Sequence, residues 1–470
     1  QGEKLPERRP QCGRKLLRAN ETDMTGDDWT ALGNTLWDAE ASDKKRMVDC
    51  FRKAAYLGSA WGVCNLGICM EQGNGVEADQ VQAFWLYQQA VEMGSLNAVC
   101  CLGVCYQYGI GTAPDAEKAA ELYCKAAEYG SPRGQMLLAR AFHDGIGVEA
   151  DAAEAVHWVR AAAYQRYGEG MYRLGVCYEY GDGVEQNWEH AVHWFREAAE
   201  SGVSVAMTDL GYCYEKGCGV EQSWEQAFSW YRRGAECGDL RSMHNLGYCY
   251  EKGCGVEQSW EQAFSWYRRG AECGYPVSMS NLGLCYKRGY GVEQNWQEAI
   301  KWYEQGAQCG DLQSMHNLAC CYERGEGVEQ NEERALYWYR RGAEAGSDYC
   351  MYCLGWNYSN GEGVEQNMTE AIRWYTAAAE GGNADAMHNL GWHYDHGEGV
   401  EQDMKKAICW YERAAEQNHP AAMNSLGECY AMGRGVPRDL ETAMEWYRRA
   451  AELGEAMADY NMGWHLEQAG

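Results

Sequence analysis

The stretch GYCYEKGCGVEQSWEQAFSWYRRGAECG occupies residues 211–238 and returns, letter for letter, at 247–274. The offset is 36 residues. A catalytic centre is seldom doubled intact within one chain, whereas a stacking unit can be copied without harm. The duplication therefore points to a repeat architecture, in which length measures copy number rather than domain count. Aligned on its GVEQ turn, the chain holds eleven equivalent positions, Gly75, Gly111, Gly147, Gly183, Gly219, Gly255, Gly291, Gly327, Gly363, Gly399 and Gly435, with no insertion or deletion between them. Only the first pair, near 28–57, is out of register.

Each unit reads as two helices. In the copy around 239–273, Met243, Leu246, Gly247 and Tyr250 fall at i, i+3, i+4 and i+7, one face of a first helix, A. Gly253 and its counterparts suit the left-handed conformation that closes a helix. A second helix, B, starts behind an N-cap residue in every copy: Asp79, Asp115, Asp151, Asn187, Ser223, Ser259, Asn295, Asn331, Asn367, Asp403 and Asp439. Gln82, Glu154, Gln226, Gln262, Glu298 and Glu370 are placed to complete capping boxes. Helix B carries an alanine in every copy, from Ala83 to Ala443, and then an aromatic pair such as Trp266 and Tyr267. The tryptophan of that pair recurs from Trp158 to Trp446 and is expected in the core. A glycine recurs in the middle of helix A, with alanine at 139 and 319. Because glycine there costs about 1 kcal/mol of helix propensity, its recurrence implies a close approach, with the alanine of helix B as the expected partner.

Composition narrows the function classes. The 470 residues carry 69 acidic and 41 basic side chains, a formal charge of −28, so a polyanion such as DNA or RNA is repelled by most of the surface. The basic residues gather at the start, where Lys4, Arg8, Arg9, Arg14, Lys15 and Arg18 face only Glu3 and Glu7. No apolar run approaches the roughly 20 residues that cross a bilayer. Of 23 cysteines, eight share one place in the repeat: Cys69, Cys105, Cys177, Cys213, Cys249, Cys285, Cys321 and Cys429. Stacked repeats place equivalent positions about 8–10 Å apart, too far for a disulfide, so these read as small, reduced core residues. That reading places the chain in the cytoplasm. A secreted, periplasmic or ER-luminal location after removal of a leader is the alternative, since the sequence starts at Gln1. Sequons at Asn20, Asn357 and Asn367 occur at the frequency of chance and do not establish secretion.

The combined pattern LG-x-x-Y-x-x-G-x-GV, alanine, Trp-Tyr, alanine, glycine resembles the Sel1-like repeat family, a relative of the tetratricopeptide repeats, over roughly residues 28–468. The resemblance implies an all-α fold: a right-handed α/α superhelical solenoid of about twelve 36-residue helix-turn-helix repeats, with helix A lining the concave surface. The expected organisation is a basic, irregular segment at 1–27 and one continuous solenoid at 28–468, ending on an unpaired helix near 455–468. Members mostly act as adaptors for other proteins, and none of the repeat residues is catalytic. In a cysteine-rich bacterial branch, cysteines eight residues apart clip helix B to the next helix A. Here those places hold Ala235 and Met243, then Ala271 and Met279, so the clip is missing.

If helix A faces inward, two of its columns, four residues apart, form a binding stripe. The first reads Tyr172, Thr208, His244, Ser280, His316, Tyr352, His388, Asn424 and Tyr460; the second reads Val176, Tyr212, Tyr248, Leu284, Cys320, Trp356, Trp392, Glu428 and Trp464. Both vary while the scaffold columns hardly do, and both are rich in rings that make hot spots. The bland alternative is packing between repeats with no ligand.

Chemistry is expected nowhere. His388, His393, Asp395 and His396, or His190 with His193, lack the spacing of a built metal site, as do Cys350 with Cys353 and the group Cys100, Cys101, Cys105 and Cys124. The G-x-G turns follow helices rather than strands, so they are not phosphate loops. Ser42 and Lys45 match S-x-x-K in an expected turn, without the companion motifs of a penicillin-recognising enzyme. The expectation is a non-enzymatic scaffold, without cofactor or metal, that binds a protein or peptide. End-to-end self-assembly through the last helix and glycan binding by the aromatic column are the alternatives.

Overall fold

The structure, a computed structural model, describes residues 24–37 and 41–469, so most of the basic segment lies outside the described residues. Among them are twelve A–B helix pairs and a further helix, Ala456–Ala469, with no strand, the tandem arrangement of an α/α solenoid. Two compact units meet in sequence at Asp239 and Leu240. The first pair is the irregular one. Its helices span Gly26–Thr35, which starts behind a reciprocal Thr25–Asp28 capping box, and Ala41–Tyr56, so that Ser42 and Lys45 sit in a helix rather than a turn. From Ala60 to Glu452 every helix is 13 residues long.

One backbone device sets the angle between A and B in each regular repeat. Gly253 takes φ +72°, closing helix A (Leu240–Lys252) in the left-handed region. The chain then turns so that the N–H of the N-cap Ser259 donates to the carbonyl of Tyr250 at 2.9 Å, nine residues back in helix A. All eleven N-caps make the same bond, from Asp79 to Met70 through Asp439 to Tyr430. The expected capping boxes are therefore only half formed. The N-cap oxygen accepts from the backbone N–H three residues on, but the N-cap's own N–H is already engaged by helix A and has nothing to offer the Glu or Gln side chain. The second glycine of the turn answers to the preceding repeat: a Cβ on Gly291 would run into the carbonyl oxygen of Trp260, at the start of the previous helix B.

The core is built on the second member of the aromatic pair. Tyr87, Tyr123, Tyr231, Tyr267, Tyr303, Tyr339, Tyr375, Tyr411 and Tyr447, with Phe195, are fully buried. The tryptophan expected there is buried at Trp230 but half-buried in the other copies, and in several a cation covers its face: the Arg233 guanidinium lies 4.2 Å from the Trp230 ring centre, Arg413 4.3 Å from Trp410 and Arg449 4.6 Å from Trp446. Nor is the helix A glycine paired with alanine. A Cβ on Gly247 would come within 2.6 Å of the Tyr267 ring, and Gly67, Gly103, Gly211, Gly283, Gly355, Gly391 and Gly427 are pressed in the same way by their own tyrosines. The glycine is thus a seat for the ring, and the alanine, fully buried, fills space beside it.

The phenol then needs a partner, because an unpaired buried hydroxyl is costly. The residue sixteen places earlier supplies one: Tyr87 donates to Glu71 at 2.6 Å, Tyr123 to Gln107 at 2.7 Å, Tyr231 to Glu215 and Tyr267 to Glu251 at 2.8 Å. Where that residue is Lys287, its ammonium is held by Glu326 at 2.7 Å, and the Tyr303 hydroxyl has no partner.

Seven of the eight recurrent cysteines are buried, and Cys177 is half-buried. Burial pushes the thiols of Cys69 up to about 11 and of Cys213 and Cys285 up to about 12, so at neutral pH they are protonated packing groups. Ala271 and Met279, where the cysteine-rich branch has its clip, are buried apolar residues. Two sequon asparagines are engaged in the fold: Asn357 is buried and Asn367 caps a helix. Asn20 lies outside the described residues.

Gly247→Ala tests the ring seat. Alanine is the better helix former by about 1 kcal/mol, yet its methyl would meet the ring at 2.6 Å. The variant is expected to unfold at a lower temperature than the parent, and a raised midpoint would show that the ring does not rest on this glycine.

Candidate binding surface on the A helices

Within each unit, side-chain bonds tie each A helix to the next A helix or to the turn that closes it. Tyr172 donates to Asp209 at 2.9 Å, Lys287 pairs with Glu326 at 2.7 Å and Arg434 with Asp395 at 2.9 Å. This packing divides the two expected columns.

The first column belongs mainly to the seam between repeats. Thr208 and Ser280 are buried, and Tyr172, His244, His316, Tyr352, His388 and Asn424 are half-buried. Its rings lie over the buried aromatic of their own repeat: Tyr172 on Phe195 at 5.9 Å, His244 on Tyr267 at 5.6 Å, His316 on Tyr339 at 6.1 Å, Tyr352 on Tyr375 at 6.0 Å and His388 on Tyr411 at 5.7 Å. On the other side they touch the next repeat, His244 through Tyr275 and His388 through His419, the latter stacked at 5.1 Å. Burial favours the neutral imidazole, lowering both His244 and His388 to about 4. Only Tyr460, on the last helix, is exposed.

The second column reaches the surface. Tyr248 is 39% exposed, Trp356 45% and Trp392 37%, and Tyr212, Leu284 and Trp464 are exposed as well, while Val176, Cys320 and Glu428 are half-buried. The rings are held rather than loose. Lys216 lies 5.8 Å from the Tyr212 ring centre and Lys252 5.9 Å from Tyr248, and His396 stacks on Trp392 at 4.3 Å. In the Leu240–Gly470 unit this places large amphipathic rings, Tyr248, Trp356, Trp392 and Trp464, at one station of the A helices, interrupted by Leu284, Cys320 and Glu428, and such rings are the residue types that anchor interfaces at low entropic cost.

No cation site emerges from the histidines or cysteines. Among the described residues, no three His, Cys, Asp or Glu side chains are placed to hold a metal ion. His393 Nδ1 meets the Glu398 carbonyl at 3.0 Å, His396 Nδ1 the Trp392 carbonyl at 2.9 Å, and Asp395 is taken by Arg434. His190 packs its ring on Tyr178 and His193 on Trp194. In the cysteine group, Cys101 accepts from Arg133 Nη1 at 3.6 Å and Cys124 faces Glu128 at 3.5 Å. No helix is long and apolar enough to cross a membrane among the described residues.

A break in the ring column has a direct structural consequence. Position 159 is a valine where every other regular repeat has Tyr or Phe, and its seat is Ala139 rather than glycine. At that place, in the unit ending at Asp239, lies a cavity of about 860 Å³. The signal was present in the sequence, one non-aromatic residue in the column after the tryptophan. It escapes a reading that takes the tryptophan as the core residue.

The Sel1 repeat family matches eleven consecutive segments of the chain, running from 62–95 to 420–455. Among solved structures, the chain is similar to a protective antigen of uropathogenic Escherichia coli strains displaying an SLR fold, at 33% identity and a TM-score of 0.62 over 90% of each chain. It is also similar to a Sel1 repeat protein from Oxalobacter formigenes, at 30% identity and a TM-score of 0.47, covering 52% of this chain and 96% of that one. No curated protein sequence matches it.

The seam reading of the first column is tested by following the imidazole signals of His244 and His388 in an NMR pH titration. Folded values lowered to about 4, against about 6.5 in the unfolded chain, mean that the unfolded state binds the extra protons. Stability supplied by these groups is then complete above pH 6.5 and lost as pH falls towards 4. Midpoints near 6.5 in the folded protein would place both rings in solvent instead.

Proposed function

The chain belongs to the Sel1 repeat family, and from that premise we propose that it is a non-enzymatic scaffold that captures a protein or peptide on the exposed aromatic row of its A helices. Repeat proteins of this kind mediate protein–protein interaction, and their scaffold is generally non-catalytic. The observation that carries the finer reading is the row itself, Tyr248, Trp356 and Trp392, whose rings stay exposed while the aromatic column of helix B is buried. Surface rings recurring at the same station of the A helices, three repeats apart between Tyr248 and Trp356 and adjacent at Trp356 and Trp392, are a set of anchors spaced for an extended partner.

Charge supports a protein partner over a nucleic acid. With 69 acidic side chains against 41 basic ones, long-range steering favours a partner that is itself positive or neutral. The half-buried first column shapes the floor under the row, so its rings contribute by holding Tyr267 and Tyr411 in place.

The test is a comparative pull-down with the intact chain and a Tyr248→Ser, Trp356→Ser, Trp392→Ser variant of unchanged helicity. A discrete partner retained by the first should bind the second at least about 30-fold more weakly, since central aromatic anchors cost about 2 kcal/mol or more each. Equal capture by both forms would remove the row as the binding surface, and recovery of only further copies of the chain would replace capture with self-association.

A further inference from the structure

The repeat that has lost its ring keeps the rest of the ring's surroundings. In the regular repeats the ring of helix B lies on a glycine of its own helix A, or on Ala319 in the case of Tyr339, and under a first-column side chain. It also reaches the recurrent cysteine of the next helix A: Tyr267 rests on Gly247 and beneath His244, and the cysteine eighteen positions on from it is Cys285. The same stations around Val159 are Ala139, Met136 and Cys177, and all of them line the 860 Å³ cavity, together with Val156 and Val176. Cys177 is the one member of its column that is not fully buried, as expected where the group that covers its neighbours is missing.

The polar end of the slot is preserved too. Sixteen residues before Tyr87, Tyr123, Tyr231 and Tyr267 stands the acceptor of the phenol proton, Glu71, Gln107, Glu215 and Glu251. Sixteen before Val159 stands His143, which lines the cavity. It is fixed by Asp144 at 2.7 Å and Asp182 at 3.3 Å. Around the mouth are three guanidiniums. Arg140 pairs with Asp144 at 3.3 Å, whereas Arg133 and Arg173 form no ion pair among the described residues; Arg133 instead donates to Cys101. With Asp144 and Asp182 engaged by His143 and Arg140, Glu169 is the remaining carboxylate of the lining. On a chain of formal charge −28, two guanidiniums without an ion pair beside an apolar slot form a local site for a carboxylate.

We infer that this cavity is a binding site for a tyrosine side chain presented by a partner segment with an adjacent carboxylate. The ring takes the space that the chain's own tyrosine fills elsewhere, its hydroxyl donates to the Asp182 carboxylate that His143 holds at the cavity wall, and the partner's carboxylate is held by Arg173 and Arg133. An aromatic ring entering an apolar slot with one polar contact at its far end repeats, between molecules, the interaction that builds every regular repeat.

The inference rests on the reading of the A helices as a partner-binding face, but the two can fail separately, because the slot and the row of Tyr248, Trp356 and Trp392 are far apart in sequence and altered by different substitutions. The probe is the peptide N-acetyl-Glu-Tyr-Glu amide, added at millimolar concentration to the full chain. Binding is followed through the methyl resonances of Val156, Val159 and Val176. These signals should shift with the tyrosine peptide and stay in place with the Glu-Ala-Glu control. Arg173→Gln should weaken the tyrosine peptide about tenfold. Ala139→Gly combined with Val159→Tyr rebuilds the regular pair inside the slot. That variant should unfold at a higher temperature and bind the peptide at least tenfold more weakly. Absence of methyl shifts in the parent, equal response to the alanine control, or undiminished binding by the refilled variant each overturns the inference, while loss of partner capture in the Tyr248, Trp356, Trp392 variant alone leaves the proposed function standing. A response to free N-acetyltyrosine as strong as to the peptide would overturn the peptide assignment and make the slot a small-molecule site.

Discussion

The packing of nearly every repeat depends on an aromatic ring of helix B lying on a glycine of helix A. The ring of helix B is buried where helix A offers little or no side chain at the crossing point, a glycine in most copies and the small Ala319 beneath Tyr339. Removing the side chain at Gly247 and its equivalents lets the backbone of helix A serve as the floor. Burying an aromatic ring brings about 2 kcal/mol or more of hydrophobic stabilisation, which outweighs the roughly 1 kcal/mol that a mid-helix glycine costs. The rest follows from holding that ring. In several copies its hydroxyl finds Glu or Gln at the sixteenth position before it, a first-column ring lies over its face, and a recurrent cysteine of the next repeat is buried at its edge. A fixed crossing then needs a fixed turn, and the N-cap bond back to helix A supplies it in all eleven copies.

Much of this was legible in the sequence because it repeats. Glycines with a positive φ, N-cap residues and helix lengths are local demands, and eleven copies of each leave little ambiguity. What was not legible is which of two adjacent aromatics faces inward. Trp266 and Tyr267 are neighbours on a helix, about 100° apart, and hydrophobicity alone favours burying the tryptophan. The deciding factor is nonlocal: Glu251 can receive a tyrosine hydroxyl, and Arg269 can cover the tryptophan from outside. Reciprocal capping boxes were over-read for a related reason. A sequence motif shows that a Glu or Gln is available at the third position, but not that the N–H it would accept is already bonded to Tyr250.

The same logic separates the two columns of the A helices. Periodicity puts His244 and Tyr248 on one stripe, yet the packing of Tyr267 and Tyr275 draws the histidine into the seam and leaves the tyrosine outside. A stripe inferred from variability thus contains both groups that fit the chain to itself and groups free to fit something else. The missing ring at Val159 is the complementary case, a place where the chain fails to fit itself and the vacancy keeps the chemistry of the group that is gone.

The measurement that tests the proposed binding surface most directly is site-specific photocrosslinking, with benzoylphenylalanine placed singly at 248 and 392 on the A helices and at 337, an exposed tyrosine of helix B in the same unit. The account predicts covalent capture of the partner from positions 248 and 392 and little from 337. Equal or greater capture from 337 would contradict it and move the binding surface to the B helices.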